Sequence, residues 1–356
     1  MLTFCTLFNK VYLDKGLVLF ESLKKSSSSF QLYVLAMDEI TYKVLSDQNE
    51  PNLIPIKLQD FENDDLLKAK SNRKFGEYCW TCSSWLISYI LNCYQPEYCT
   101  YIDADMYFYS DPSVIIDEMK EKNASVQVIS HHFADLIREQ ASIPVGKYCV
   151  EFNTFKNDVN GKMLLDIWKK QVAEDCSYNK EKGICGDQKY LDNWVINYSF
   201  VMETENVGAG LGPWNLCQYR WHPKDKNSEF VVSRWGKKGP LVFVHFENIT
   251  YIDEYTAYSK FIYSWNANKK FIDKLYVPYL QKLRIIKRVL KRKYEIDELI
   301  KIHPNHENEI VKKKEGILRK IKHIFIDNKR VVYSLKVNLL INLPKRLYGH
   351  YSIIKF

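Results

Sequence analysis

No stretch of the sequence reaches the ~20 consecutive apolar residues that span a bilayer, so a helical membrane anchor is not expected. A basic leader segment, an apolar h-region and a small-residue cleavage site are missing too. The chain opens on the strand-like run Leu2-Thr3-Phe4-Cys5-Thr6-Leu7. A secreted, disulfide-stapled protein is therefore not expected, and the cysteines, nine in all, are odd in number. Cys79-Trp80-Thr81-Cys82 has no second pair at zinc-finger spacing and falls in a helical pattern, which argues against a zinc or redox role. No Gly-x-Gly-x-x-Gly follows the first strand, which removes the dinucleotide fingerprint. On these absences we expect a cytoplasmic, reduced chain, and a hydrophobic content of 46% predicts a globular rather than a disordered one.

What is present is organised in two parts. The net charge of +8 is unevenly spread: residues 281–356 hold 20 Lys/Arg against 7 Asp/Glu, leaving the rest slightly acidic. We expect residues 1–265 to form one catalytic-type α/β domain and residues 266–356 a basic, mostly helical region. Within the first part, strand-like and helix-like patterns alternate. Leu2–Phe8, Gln31–Ala36, Tyr98–Ile102, Ser125–Ile129, Tyr148–Phe155 and Leu241–Phe246 read as strands. Leu13–Leu23, Trp80–Leu91 and Gly161–Val172 read as helices, and Gly208–Pro213 as a loop. Such alternation predicts a largely parallel sheet with ligands at the carboxyl ends of its strands.

The chemistry concentrates where the strand Tyr98–Ile102 runs into Asp103-Ala104-Asp105. Two carboxylates flanking a small residue at a strand end can hold a hard divalent cation, Mn²⁺ or Mg²⁺. About one such triplet is expected by chance in a chain of this length. Its context is more specific: Tyr101-Ile102-Asp103-Ala104-Asp105-Met106-Tyr107-Phe108-Tyr109-Ser110-Asp111-Pro112 resembles the D-x-D segment of nucleotide-diphospho-sugar transferases. The glycogenin-like and bacterial lipopolysaccharide galactosyltransferases share it. The resemblance runs from about Leu2 to Thr250. It takes in Glu77–Cys82, Phe152-Asn153, Gly186–Leu191, Gly208–Asn215 and Val244-His245-Phe246 in family order.

The resemblance implies a GT-A fold, a mixed sheet flanked by helices, and a nucleotide-sugar donor, UDP-linked by preference. It implies metal ligation by Asp103, Asp105 and His245. It places Asp187 and Gln188 at the donor sugar, though Asp after Gly is also an ordinary helix start. Glu151 and Asn153 share one strand face; Glu151 could stabilise an oxocarbenium-like centre or act as a nucleophile, or be a plain surface charge. Cys5, Thr6, Asn9, Tyr12, Asp38 and Ala104 fall where relatives hold the nucleotide, with Tyr12 available to stack and Arg73 to neutralise a phosphate. His131-His132 could meet donor or acceptor. Trp214-Asn215 could form an acceptor wall or anchor the glycine loop. After His245 the relatives' Lys-Pro-Trp phosphate clamp is replaced by Glu247-Asn248-Ile249-Thr250, so Lys237 or Lys238 becomes a candidate for the second phosphate contact.

In the basic region Leu283, Ile286 and Leu290 keep helical spacing among lysines and arginines, the pattern of an amphipathic surface helix. Together with Lys312-Lys313-Lys314 and the apolar Val331–Leu343, this suggests peripheral docking on the anionic inner face of the cytoplasmic membrane rather than on nucleic acid. A solvated helical hairpin packed on the enzyme competes with that reading. The expected acceptor is a glycan or a lipid-linked sugar, in bacterial surface polysaccharide assembly. A sugar-phosphate nucleotidyltransferase is the first alternative; it would need a Gly-rich basic loop where the chain has Phe8-Asn9-Lys10-Val11. A non-catalytic glycan- or membrane-binding protein on the same fold is the second.

Overall fold

The computed structural model describes residues 1–133, 138–179, 181–224, 230–251, 255–261, 269–297 and 350–355. Seven strands form the central sheet. In chain order its first four are β1 (Leu2–Phe8), β2 (Phe30–Ala36), β3 (Leu53–Lys57) and β4 (Tyr98–Ile102). A short strand outside the sheet, β5 (Met106–Phe108), precedes β6 (Val126–Ser130), β7 (Tyr148–Lys156) and β8 (Val201–Glu203). The spatial order is β8-β6-β7-β4-β1-β2-β3. All neighbours are parallel except β7, which runs against both β4 and β6. The expected mixed sheet flanked by helices is thus present.

Alternation within β1 shows why the sheet needs cover on both faces. Phe4 and Phe8 point into one apolar cluster, Cys5 and Leu7 into the other. The first cluster is closed by α1 (Leu13–Ser26), through Leu13, Leu17, Phe20 and Leu23. The second is closed by α2 (Phe75–Cys93) and α3 (Val159–Glu174), through Leu86, Ile87, Ile90, Leu164 and Trp168. Trp168 is fully buried, stacked on Phe155 at 5.9 Å and edge-on to Trp194 at 5.4 Å. Truncating such a side chain to alanine costs about 3–5 kcal/mol.

The reversal of β7 positions the site. Its register pairs Ile102 with Phe152, so the segment before Phe152 extends past the carboxyl end of β4. There the Asp103 amide donates to the Glu151 carbonyl at 3.2 Å. A further strand, β9 (Phe243–His245), pairs antiparallel with β5, setting His245 opposite Met106, one residue from Asp105.

Helix α4 (Val277–Tyr294) differs from the expected surface helix. Leu283 and Leu290 are buried, and the helix lies against α1. Tyr279 stacks on Phe246 at 3.9 Å, and Lys287 Nζ sits 3.2 Å from the buried carboxylate of Asp14. The apolar stripe read from Leu283, Ile286 and Leu290 is therefore covered by protein: Ile286 packs against the same clusters. Residues 350–355 form a strand paired with Thr256–Phe261. Lys312-Lys313-Lys314 and Val331–Leu343 lie outside the described residues. Among the described residues no helix is long and apolar enough to cross a membrane.

Candidate active site

Three chain segments converge at the end of β4. The first is the turn Asp103-Ala104-Asp105, closed when the Met106 amide donates to the Asp103 carbonyl and the Phe246 amide to the Asp105 carbonyl. The second is the amino half of β7, carrying Cys149, Glu151 and Asn153. The third is β9 with His245, backed by the glycine loop through a bond from the His245 amide to the Leu211 carbonyl at 2.9 Å. Glycine is required in that loop by close approach. A Cβ on Gly208 would fall 1.8 Å from the Pro240 carbonyl oxygen, and Gly210 adopts φ +77° beside Glu151. Asn215 ties the loop together, donating to the carbonyls of Gly210 and His131 and accepting from the Gly212 amide.

His245 is held between carboxylates on both sides. Its Nε2 lies 3.0 Å from Asp105 Oδ1 and 3.7 Å from Asp103 Oδ2, while its Nδ1 is 2.7 Å from Glu151 Oε2. Asp105 and Glu151 are buried, and the Asp103 side chain is 31% exposed. Burial pushes the Asp103 carboxyl up to about 7 against the opposing pull of His245. Burial also raises Glu151, with His245 again pulling the other way. Asp105 is the exception: burial works against its charge, but His245 outweighs it and holds the carboxyl low. Burial disfavours charge on His245 itself, yet Asp105 and its hydrogen bonds raise the imidazole well above its ordinary value. Glu151 Oε1 and both polar atoms of Asn153 are buried without a hydrogen-bond partner.

Asp187 lies on the neighbouring wall and has a different setting. Ser83 Oγ donates to its Oδ2 at 2.6 Å, and Trp168 Nε1 donates to its backbone carbonyl at 3.0 Å. Burial raises its carboxyl to about 7, with the charge of Asp103 adding to the rise. The adjacent Gln188 donates its amide to the Val145 carbonyl at 2.6 Å. Trp214 is buried edge-on to both His131 and His245, each at 5.4 Å. Burial lowers His131 to about 4, so it is neutral at physiological pH, its Nδ1 3.2 Å from the Lys147 carbonyl.

The nucleotide candidates separate into those at the cluster and those away from it. Tyr12 is 37% exposed, and its hydroxyl is raised chiefly by the charge of Asp105. Asn9 and Asp38 shape the turn before it: Asn9 Oδ1 accepts from the Val11 amide, and Asp38 accepts from the amides of Lys10 and Thr41. Ala104 is buried between the two aspartates. Cys5 and Thr6 are enclosed within the sheet, with Cys5 Sγ 3.7 Å from Cys99 Sγ. Arg73 is engaged elsewhere: its guanidinium donates to the carbonyls of Val172 and Ala173, at the end of α3, and to Thr81. Lys237 and Lys238 are exposed on the hairpin of Val231–Arg234 and Lys237–Pro240, where Lys237 reaches Glu205 at 3.3 Å. None of the nine cysteines forms a disulfide, and burial pushes the Cys79 thiol up to about 12, away from the reactive thiolate range.

Sequence reasoning missed Ser83, Cys149 and Lys15. Ser83 is an inconspicuous residue inside an apolar helix, and only the fold brings it to Asp187. Cys149 lies with Glu151 and His245 in a group whose ligand atoms are all within 4.8 Å of one another. Lys15 is buried one helical turn after Tyr12; a lysine there carries no signal distinguishable from an ordinary helix-surface cation.

No family model matches the chain. Among solved structures it is similar to mouse xyloside xylosyltransferase 1 in its apo form, at 10% identity and a TM-score of 0.46, covering 69% of this chain and 97% of that one. It is also similar to the galactosyltransferase LgtC in complex with donor and acceptor sugar analogues, at 12% identity and a TM-score of 0.45, covering 69% and 87%. Its sequence is 32% identical over 249 residues to the uncharacterized protein YfnF of Bacillus subtilis (strain 168), covering 68% of this chain and 80% of YfnF. On that match the chain belongs to the YfnF family.

Proposed function

We propose that the chain is a divalent-metal-dependent glycosyltransferase that moves a sugar from a nucleoside-diphosphate donor to a hydroxyl of a glycan or lipid-linked acceptor. One observation carries the reading: His245 presents Nε2 to two aspartates while its Nδ1 is fixed by a buried glutamate. An imidazole oriented by a carboxylate on its far nitrogen, facing two hard oxygen donors, fits a Mn²⁺ or Mg²⁺ ion. Asp103, Asp105 and His245 would be the ligands, and Glu151 the group that fixes the ring. Bound there, the cation would supply charge stabilisation for a departing diphosphate.

The remaining steps fall to the chain's own side chains. Asp187, held by Ser83, is positioned to accept hydrogen bonds from sugar hydroxyls, with Gln188 beside it. Asn153 has unpartnered amide atoms on the same strand face as Glu151, which suits a donor-sugar contact. Tyr12 offers an aromatic face to the base. Trp214 and the glycine loop close the opposite wall and exclude water. Retention at the anomeric carbon, a UDP-linked donor and a role in bacterial surface polysaccharide assembly extend the same reading through the family resemblance, whereas docking of the basic region on an anionic membrane face rests on its charge alone.

The test is a panel of nucleotide sugars incubated with the full chain and Mn²⁺, reading release of the nucleoside diphosphate. Slow hydrolysis of one donor, abolished by EDTA, is the expected result. Silence across the panel, or pyrophosphate release from a nucleoside triphosphate and a sugar phosphate, would overturn the assignment.

A further inference from the structure

Lys15 is 1% exposed, and its Nζ has no hydrogen-bond partner. A buried ammonium without an acceptor is unfavourable, so its presence calls for an anion. Burial disfavours its charged form and lowers the ammonium from its ordinary value, against the pull of Asp14 and Asp105, and Lys287 adds to the lowering. One oxygen of each acid is engaged elsewhere. Asp14 Oδ2 accepts from the Tyr251 hydroxyl at 3.0 Å and pairs with Lys287 at 3.2 Å, while Asp105 faces His245 at 3.0 Å. What stands directly over the ammonium is the ring of Tyr12, 3.9 Å from its centroid.

Lys15 thus lies against the aromatic ring proposed to meet the base and within the electrostatic reach of the aspartate proposed to hold the metal. In a nucleoside diphosphate, the two phosphates are the part that joins those ends. We infer that Lys15 is a second, non-metal contact for the diphosphate, its ammonium donating to a phosphate oxygen. The inference rests on the glycosyltransferase reading above, and it assigns the phosphate contact that neither Arg73 nor the exposed Lys237 and Lys238 is placed to make. A phosphate oxygen at this position would satisfy the buried ammonium and draw negative charge toward the cluster without competing for His245.

The experiment uses the full chain, with Mg²⁺ alone and then inorganic pyrophosphate at saturating Mg²⁺, in wild type and Lys15→Met. A charge-assisted hydrogen bond lost on the substitution should weaken pyrophosphate about 10- to 100-fold. Mg²⁺ alone should bind as well or better, since a cation beside Asp105 is gone. The variant should melt at or above wild type, because an apolar side chain replaces an unpaired buried charge. Unchanged pyrophosphate affinity, a parallel loss of Mg²⁺ and pyrophosphate, or a variant that melts well below wild type would each overturn the inference. Wild type that binds Mg²⁺ but not pyrophosphate overturns it while leaving the metal site standing. Wild type that binds neither overturns the proposed function, and this inference with it.

Discussion

Asp103 lies near enough to Asp187 for its charge to raise that carboxyl, and burial raises each of the two to about 7. Their partners differ. Asp103 sits among ionisable groups, Asp105 and His245, whose charges depend on one another. Asp187 sits on a serine hydroxyl, with an indole on its backbone carbonyl. Similar shifts therefore carry different chemistry. The Asp103 side is a set of charged donors facing one another, which suits a cation; the Asp187 side is fixed by neutral donors, which suits sugar hydroxyls. Burial alone does not distinguish a metal ligand from a substrate contact, whereas the partners do.

The substitution expected to act most strongly on that contrast is Asp187→Asn. Asparagine can still accept from Ser83, so the fold should hold, while kcat for donor turnover drops about 100-fold as a charged hydrogen bond to substrate is lost. Mn²⁺ affinity should stay within about twofold, because Asp187 is not in the ligand group; comparable losses in metal binding and turnover would erase the distinction. Glu151→Gln acts on the other wall. It should weaken Mn²⁺ about 10- to 100-fold by loosening the imidazole, measured by calorimetry, with the chain still folded by circular dichroism.

The pH dependence follows in size. Asp103, raised to about 7, and His245, raised above its ordinary value, must both lose protons to ligate a cation. Protons therefore compete with the metal, and Mn²⁺ affinity should climb as pH rises through 7, by up to about tenfold per unit for each proton released. A flat profile between pH 6 and 8 would contradict the cluster electrostatics. The smallest effect is expected for Trp168→Phe, which keeps the stack on Phe155 but drops the bond to the Asp187 carbonyl. Urea denaturation should show a loss of about 1–3 kcal/mol, with Mn²⁺ binding unaffected.

Much of this architecture was readable in the sequence because hydrophobic period and strand ends are local properties. β1 is a buried, mostly apolar run with helices on both faces, and β4 runs straight into Asp103, so the carboxylate pair could be located before any fold was known. His245 and the glycine loop were findable through the family resemblance that the pair anchors. What stayed hidden depends on contacts between distant segments. Ser83 reaches Asp187 across 104 positions. Arg73, which reads as a phosphate ligand, is taken up by the end of α3, about 100 residues away. The amphipathic pattern of α4 fits a membrane surface and a protein surface equally well; contact with α1 and Phe246 shows what covers it here. Lys15 illustrates the same limit, since its meaning lies in the absence of a partner, a property no sequence pattern encodes.

The most direct test of the account is a calorimetric titration of Mn²⁺ into the full chain and into Asp105→Asn. Asp105 lies 3.0 Å from His245 Nε2, and asparagine keeps its shape while removing its charge. One Mn²⁺ bound per wild-type chain, with affinity lowered at least about 100-fold in the variant, is the predicted result. Equal binding by the two proteins would mean that the aspartates and His245 hold no cation, and the central claim would fail.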